Sequence, residues 1–300
     1  MAFDSAQALS RKILLSGASS QIGVFAIPRL LAEGFEVVAV SRQKKPAYMP
    51  DSDQLTWCGL EQAFQTYSSF DFLLSAGPME LALKVLRHDP GIKRAVIFSS
   101  SSVVAKRESE DTAERLQMQQ MLAHESELES FARQNGIKLT IFRPTLIYGC
   151  GLDSNVSRLA RFIGRFSLML VNGKATGLRQ PVHAEDLAIA AILALKTESE
   201  LPEKMLLTGG STISYTDMLN AIFEALGKSV RIWPIPAWLL IPAVRLLTVI
   251  GLNAGVSVAM VKRQTQDLQY DGQQARQLLG FQPRPFAPEK KDFELPHIRG

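Results

Sequence analysis

Ile13-Leu14-Leu15-Ser16-Gly17-Ala18-Ser19-Ser20-Gln21-Ile22-Gly23 reads as a strand, a tight turn and the start of a helix. Residues 13–16 form a short apolar run that ends on glycine, and residues 22–31 continue with helical spacing. Gly17 permits the sharp turn, and Gly23 lets the helix pack close to the strand. The helix start then offers unpaired backbone N–H groups and a positive dipole end, which suits a pyrophosphate. Ser20 stands where the usual G-x-G-x-x-G pattern has its middle glycine. That costs backbone room without abolishing binding. A glycine motif alone is weak, but here it follows a strand and opens a helix near the chain start, the context that makes it a dinucleotide signal. The alternative is a glycine-containing turn that holds no ligand.

Residues 35–40 form a β-branched run that predicts a second strand, ending at Val40-Ser41-Arg42. Roughly 20 residues beyond such a turn lies the group that reads the adenosine ribose. An acidic residue there would favour NAD. Ser41 and Arg42, with Lys44 nearby, instead suit a 2′-phosphate through charge-assisted hydrogen bonds. Arg42 also reads as a solvated loop charge. The expected cofactor is NADP in preference to NAD, held by Gly17, Ser19, Ser20, Gln21, Ile22, Gly23, Ser41 and Arg42.

Further along, Leu73 and Leu74 mark a third apolar run, 81–86 is helical, 94–98 is a strand followed by serines, 112–135 is a long polar helix, and 138–142 is again a strand. This alternation predicts an α/β fold of Rossmann type, a doubly wound parallel sheet with helices on both faces. The second half is less regular. Helices are expected at 155–166, 185–195, 216–226 and 272–279, with strands at 204–207 and 230–233. The reading is a dinucleotide-binding core over 10–150 that also uses 178–210, interleaved with a smaller α+β substrate-binding part over 151–300. The tail over 282–300, rich in proline and charge, is expected to be partly loose.

The chain has 300 residues, 46% hydrophobic and 21% charged, an ordinary globular composition. Its two cysteines, Cys58 and Cys150, lie far apart with no metal-ligand spacing around them, which suits reduced cytoplasmic thiols and no metal. The net charge of +4 is spread along the chain. The group Arg42, Lys44, Lys45 is too short to argue for nucleic acid, and a mildly basic surface suits an anionic small substrate. Met1 to Ser10 lack the basic start and apolar run of a secretory signal, so a cytoplasmic location is expected. The most apolar stretch, 232–252, contains Pro234, Pro236, Pro242 and Arg245. These breakers disfavour the ~20 apolar residues of a spanning helix. A proline-started amphipathic helix that covers a pocket or touches a membrane surface is expected instead.

Five further stretches accompany the turn: Val96-Ile-Phe-Ser-Ser-Ser-Ser-Val-Val104, Phe142-Arg-Pro-Thr-Leu-Ile-Tyr-Gly149, Pro181-Val-His-Ala-Glu-Asp-Leu187, Gly209-Gly-Ser-Thr-Ile-Ser214 and Asp271-Gly-Gln-Gln-Ala-Arg-Gln-Leu-Leu-Gly-Phe-Gln-Pro283. In this order and spacing the chain resembles the extended short-chain dehydrogenase/reductases, in particular the NAD-dependent epimerase/dehydratase group acting on nucleotide sugars. The resemblance covers nearly the whole length. It implies hydride chemistry on a nucleotide sugar such as a UDP-sugar. It implies that Ser100 holds the reacting oxygen, with Ser99, Ser101 and Ser102 within one or two residues of that role. It implies further cofactor contacts at Ala76, Ser99, Pro144 and Thr145, and substrate contacts at Ser101, Asn155 and Arg179. Asn155 reads equally as a helix cap, whereas the guanidinium fork of Arg179 suits paired diphosphate oxygens. His183 and Asp186 match a pattern that supports the fold. A homodimer through the 112–135 helix is a further implication. Trp233 and Trp238 read either as pocket aromatics or as packing residues.

One departure is informative. The family pairs a tyrosine with a lysine four residues later, on one helix face. The ammonium lowers a phenol whose free pKa is about 10. The matching positions here are Gln117 and Met121, and the tyrosines of the chain are Tyr48, Tyr67, Tyr148, Tyr215 and Tyr270. Glutamine is no general base and methionine carries no charge. His124, about two helical turns beyond Gln117, reads as a surface histidine. Two expectations therefore stand: an atypical enzyme whose proton-transfer group is unassigned, or an NADP(H)-binding structural or regulatory module without dehydrogenase activity.

Overall fold

Residues 11–105, 109–249 and 257–296 are described by the computed structural model. The chain runs β1 (Arg11–Ser16), α1 (Gln21–Ala32), β2 (Phe35–Val40), β3 (Leu55–Cys58), α2 (Leu60–Thr66), β4 (Phe72–Ser75), α3 (Met79–His88), β5 (Arg94–Phe98), α4 (Ser102–Ala105), α5 (Thr112–Asn135) and β6 (Lys138–Pro144). It continues through β7 (Ile147–Tyr148), α6 (Val156–Phe166), β8 (Met169–Asn172), β9 (Leu178–Arg179), β10 (Val182–His183), α7 (Ala184–Lys196), β11 (Lys204–Leu207), β12 (Ile213–Ser214), α8 (Tyr215–Ala225), β13 (Ile232–Ile235), α9 (Ala237–Val249), α10 (Val258–Arg263) and α11 (Gln273–Leu279). A 3-10 turn, Lys290–Phe293, follows.

Seven strands pair in parallel in the order β11-β6-β5-β4-β1-β2-β3. The sheet is buried on both faces, so its strands read as apolar runs. One face carries Ile13, Leu15, Val37, Ala39, Leu74 and Val96 against α1 and α7. The other carries Leu14, Val38, Leu73, Ala95, Ile97 and Ile141 against α3 and α5. The chain moves outward from β1 through β2 to β3, then returns to the other side of β1 at β4. That reversal opens a crevice at the carboxyl ends of β1 and β4, where open α/β sheets bind ligands. A separate core of Val156, Ile163, Val171, Met218, Leu219 and Phe223 holds α6 to α8 beside the sheet.

Two sequence expectations change. The run at Leu73 and Leu74 is the fourth strand, because β3 and α2 precede it. β3 is an edge strand with only Cys58 buried, and α2 buries only Ala63, so neither has a strong pattern. The tail is packed as far as residue 296: Phe286 and Phe293 are buried, and Arg284 pairs with Asp186 and Glu185. Residues 297–300 lie outside the described residues. In the 232–252 stretch, α9 starts after Pro236 and leans Leu240 and Val244 on Val261, while Trp238 is 72% exposed. Residue 250 onward of that stretch is not described. Among the described residues, no helix is long and apolar enough to cross a membrane.

Candidate active site

The turn after β1 is built by backbone crowding. Gly17 has φ +75°, and a Cβ there would lie 2.5 Å from the Ala76 carbonyl carbon and the Gly77 nitrogen. The N–H of Ala76 donates to the Ser16 carbonyl at 2.9 Å, locking that approach. A Cβ on Gly23 would meet the Ala18 oxygen at 2.5 Å, so this glycine lets α1 fold back onto its own turn. Ser20 is the N-cap: its Oγ accepts from the Gly23 N–H at 3.1 Å. The amides of Gln21 and Ile22 stand in the first turn, where no intrahelical acceptor exists. Gln21 Oε1 is buried without a hydrogen-bond partner among the described residues. These features fit a dinucleotide: close-approach backbone, first-turn amides for a pyrophosphate, and an orphaned acceptor that a ribose hydroxyl or amide would satisfy. At the next strand end Ser19 Oγ and Ser41 Oγ lie 3.0 Å apart, and Ser41 Oγ also accepts from the Gln43 N–H at 3.0 Å. Arg42 is exposed at the same edge.

The serine run continues β5. Ser99 Oγ donates to Glu125 Oε1 at 2.5 Å. Glu125 is fully buried on α5 and takes both Nε and Nη2 of Arg143 from β6. The Ser99 hydroxyl is therefore engaged by the α5 carboxylate, while the residue itself lines the cavity described next. Ser100 Oγ accepts from the Ser102 N–H at 3.1 Å. Ser101 is nearly buried, and its hydroxyl is hydrogen-bonded to the Tyr270 side chain. Thr145 Oγ1 donates to the Gln180 carbonyl at 2.5 Å, so that hydroxyl too serves the fold.

Beside this run lies a cavity of about 550 Å³. Ser99 to Ser102, Pro144, Thr145 and Ile147 form its sheet side. Asn155, Arg158, Arg179, Gln180, Arg263 and Tyr270 give it further polar groups. Leu240, Val244, Met260 and Val261 close the far wall. Asn155 holds the N-cap position of α6, but its side chain does not make the capping bond. The Asp153 carboxylate does that, accepting from the N–H groups of Asn155 and Ser157 at 2.9 Å each, which leaves the Asn155 amide to the cavity. Arg179 reaches the wall but its fork is already engaged. Nη1 donates to the Leu178 and Gln266 carbonyls at 2.7 Å and Nη2 to the Arg263 carbonyl at 2.5 Å. The guanidinium braces the loop before α11, and its nitrogens are not presented as an open fork for two oxygens. Burial lowers its pKa, but a guanidinium stays charged.

Gln117 is exposed on α5, and Met121 leans on the core beside α3, so neither lines the cavity. His124 Nε2 sits 3.8 Å from Glu80, away from the site. Trp233 and Trp238 are 56% and 72% exposed and line neither cavity nor core. His183 caps α7 by accepting from the Glu185 N–H at 3.1 Å, and Asp186 receives Arg284. Burial pushes the Cys150 thiol to about 12 and raises that of Cys58, so both are inert. The residue that sequence reasoning passed over is Tyr270. Its one signal is its place immediately before the Asp271-Gly272 stretch.

Residues 71–207 match the NAD dependent epimerase/dehydratase family. A UDP-glucose 4-epimerase of Vibrio cholerae is 24% identical over 218 residues, which is 70% of this chain and 63% of that protein. The match thus spans somewhat under two thirds of that relative's length. Among solved structures, the UDP-glucose 4-epimerase of Thermus thermophilus in complex with NAD superposes with a TM-score of 0.67 at 17% identity, covering 95% of this chain and 97% of that one. The Bacillus cereus UDP-glucuronic acid 4-epimerase, in complex with UDP-glucuronic acid and NAD, gives 0.66 at 16% identity over 94% and 96%. At these identities the likeness is one of fold. The stretch that matches the NAD dependent epimerase/dehydratase family, residues 71–207, holds the serine run, its buried Glu125–Arg143 support and the strand end at Pro144.

Proposed function

We propose that the protein binds a nicotinamide dinucleotide over the Gly17–Gly23 turn, NADP in preference to NAD, and acts on a nucleotide sugar or similar anionic substrate in the adjoining cavity. The observation that carries this reading is the cavity itself. It opens against the serine run at the carboxyl ends of β5 and β6, in the sheet whose switch point holds the turn. The volume of the cavity suits a small-molecule site. A bound nicotinamide supplies or accepts hydride there. Ser100 orients the reacting oxygen, Ser101 and Asn155 contact the substrate, and Arg179 contributes its charge while bracing the wall. A purely regulatory cofactor module would need no such cavity.

Quenching or enhancement of cofactor fluorescence on titration tests the first half. Saturable binding of neither NADPH nor NADH would sink the proposal. Arg42→Ala is expected to weaken NADPH by about 10–100-fold, the worth of a charge-assisted contact of about 1.5–3 kcal/mol. NADH should change little; equal losses would reject the 2′-phosphate role. Turnover with a panel of UDP-, GDP- and dTDP-sugars tests the second half. Ser100→Ala should lower kcat on the order of 100-fold, as loss of one positioned donor does.

A further inference from the structure

Transfer of hydride to a carbonyl carbon leaves charge on its oxygen, and a proton must arrive there. The helix positions that would carry a phenol and an ammonium hold Gln117 and Met121, and neither reaches the cavity. Two tyrosines do, Tyr215 and Tyr270. Tyr215 is engaged elsewhere: its hydroxyl is bonded to Gln264, and the Arg179 guanidinium lies over its ring, 5.4 Å from the centroid. Tyr48, Tyr67 and Tyr148 do not line the cavity.

Tyr270 is held for a task. Its backbone N–H donates to Gln180 Oε1 at 2.7 Å and its carbonyl accepts from Gln180 Nε2 at 3.2 Å, a two-point clamp from the strand end beside β10. Its hydroxyl meets that of Ser101, one residue from Ser100. Arg179 is the cation near it. The other charged groups of this wall are occupied or set apart. Arg263 is paired through both Nη atoms with Glu114, Asp267 accepts from the Leu178 N–H, and Asp271 accepts from the Gln273 N–H. Arg158 donates to Met260 Sδ at 3.3 Å, and Arg276 on α11 donates to the Gly209 carbonyl at 3.5 Å.

We propose that Tyr270, brought to the serine run from the C-terminal segment, is the proton donor of this site, acting with Ser101 and Arg179 on a carbonyl substrate. The inference rests on the functional reading above and sharpens it to reduction of a keto group. In the step, the carbonyl carbon takes hydride from the reduced dinucleotide, and the C=O π pair moves to oxygen. That oxygen takes the Tyr270 proton, giving the alcohol. The phenolate left behind is stabilised by Arg179 and by the Ser101 hydroxyl, and solvent water reprotonates it. The oxidised dinucleotide and the alcohol are the products. Burial raises the phenol, while Ser101 and Arg179 lower it, so the group is protonated at neutral pH and poised to give a proton.

The test follows tyrosinate absorbance of the full chain across alkaline pH, alone and with saturating NADP⁺ or NADPH. Subtracting the Tyr270→Phe curve isolates the one phenol. A cationic nicotinamide close by should lower the Tyr270 midpoint by about one pH unit, whereas NADPH should not. Tyr215→Phe should keep this response and Tyr270→Phe should abolish it, with NADPH affinity unchanged in both. Ser101→Ala should raise the same midpoint. If NADP⁺ binds yet no phenol responds, or the response survives Tyr270→Phe, the inference is overturned while cofactor binding stands. If neither dinucleotide binds, it is the broader functional reading that fails, and a different measurement reports it.

Discussion

Glu125→Ala lowers the free energy of unfolding by about 3–5 kcal/mol, the loss expected when one partner of a buried ion pair is removed. Glu125 is 0% exposed, and the side chain of Arg143 is 16% exposed. Together they tie the middle of α5 to β6 through a two-point contact, and Ser99 adds a third hydrogen bond. Without the carboxylate, the guanidinium is left largely desolvated with no counter-charge, and the Ser99 hydroxyl loses its acceptor. Urea unfolding followed by circular dichroism measures the difference. The companion variant Glu125→Leu/Arg143→Met removes both charges and should recover most of the loss, because a buried pair is worth little over well-packed apolar groups. A cost below about 1 kcal/mol for Glu125→Ala would show the pair to be solvated. The same variant should also disturb the site, since Ser99 begins the run that carries Ser100 and Ser101.

This pair explains why part of the site is legible in sequence and part is not. Strands β1, β2, β5 and β6 are buried on both faces, so their apolar runs announce them. The turn is legible because its glycines, cap and helix start are neighbours in the chain. β3 and α2 are not, since an edge strand and a short helix with one buried residue have no periodicity to read. Two-residue strands such as β9 and β12 exist only because Arg179 and Ile213 meet. The cavity is harder still. One wall joins Ser101 to Tyr270, two residues from distant parts of the chain. Arg179 reads as an open ligand fork, yet carbonyls on the loop at Arg263 and Gln266 fill it. The packed tail depends on Phe286 and Phe293, two anchors within a polar, proline-containing stretch whose composition alone suggests looseness.

Gly17→Ala should abolish tight dinucleotide binding and destabilise the fold by roughly 2–5 kcal/mol, and two separable terms make up that loss. The first is conformational. At φ +75° a side chain strains left-handed backbone, at a cost of about 1–2 kcal/mol. The second is contact: the new methyl would sit 2.5 Å from the Ala76 carbonyl carbon and Gly77 nitrogen, and 2.7 Å from the Ala76 oxygen. These are backbone atoms, so no rotamer relieves the clash, and the β1 turn must part from the end of β4. Gly34 separates the terms. It has φ +79° at the end of α1, but a Cβ there meets nothing within 4 Å. Gly34→Ala should therefore lose only the conformational term, about 1–2 kcal/mol, and leave NADPH affinity intact. Gly17→Ala should lose more stability than Gly34→Ala and at least tenfold in NADPH affinity, because moving the turn re-aims the Gln21 and Ile22 amides at the start of α1. Urea unfolding and cofactor titration on the two variants read both quantities. Equal stability losses, or unchanged affinity in Gly17→Ala, would mean that the closeness of Ala76 to the turn does not set the geometry of the site.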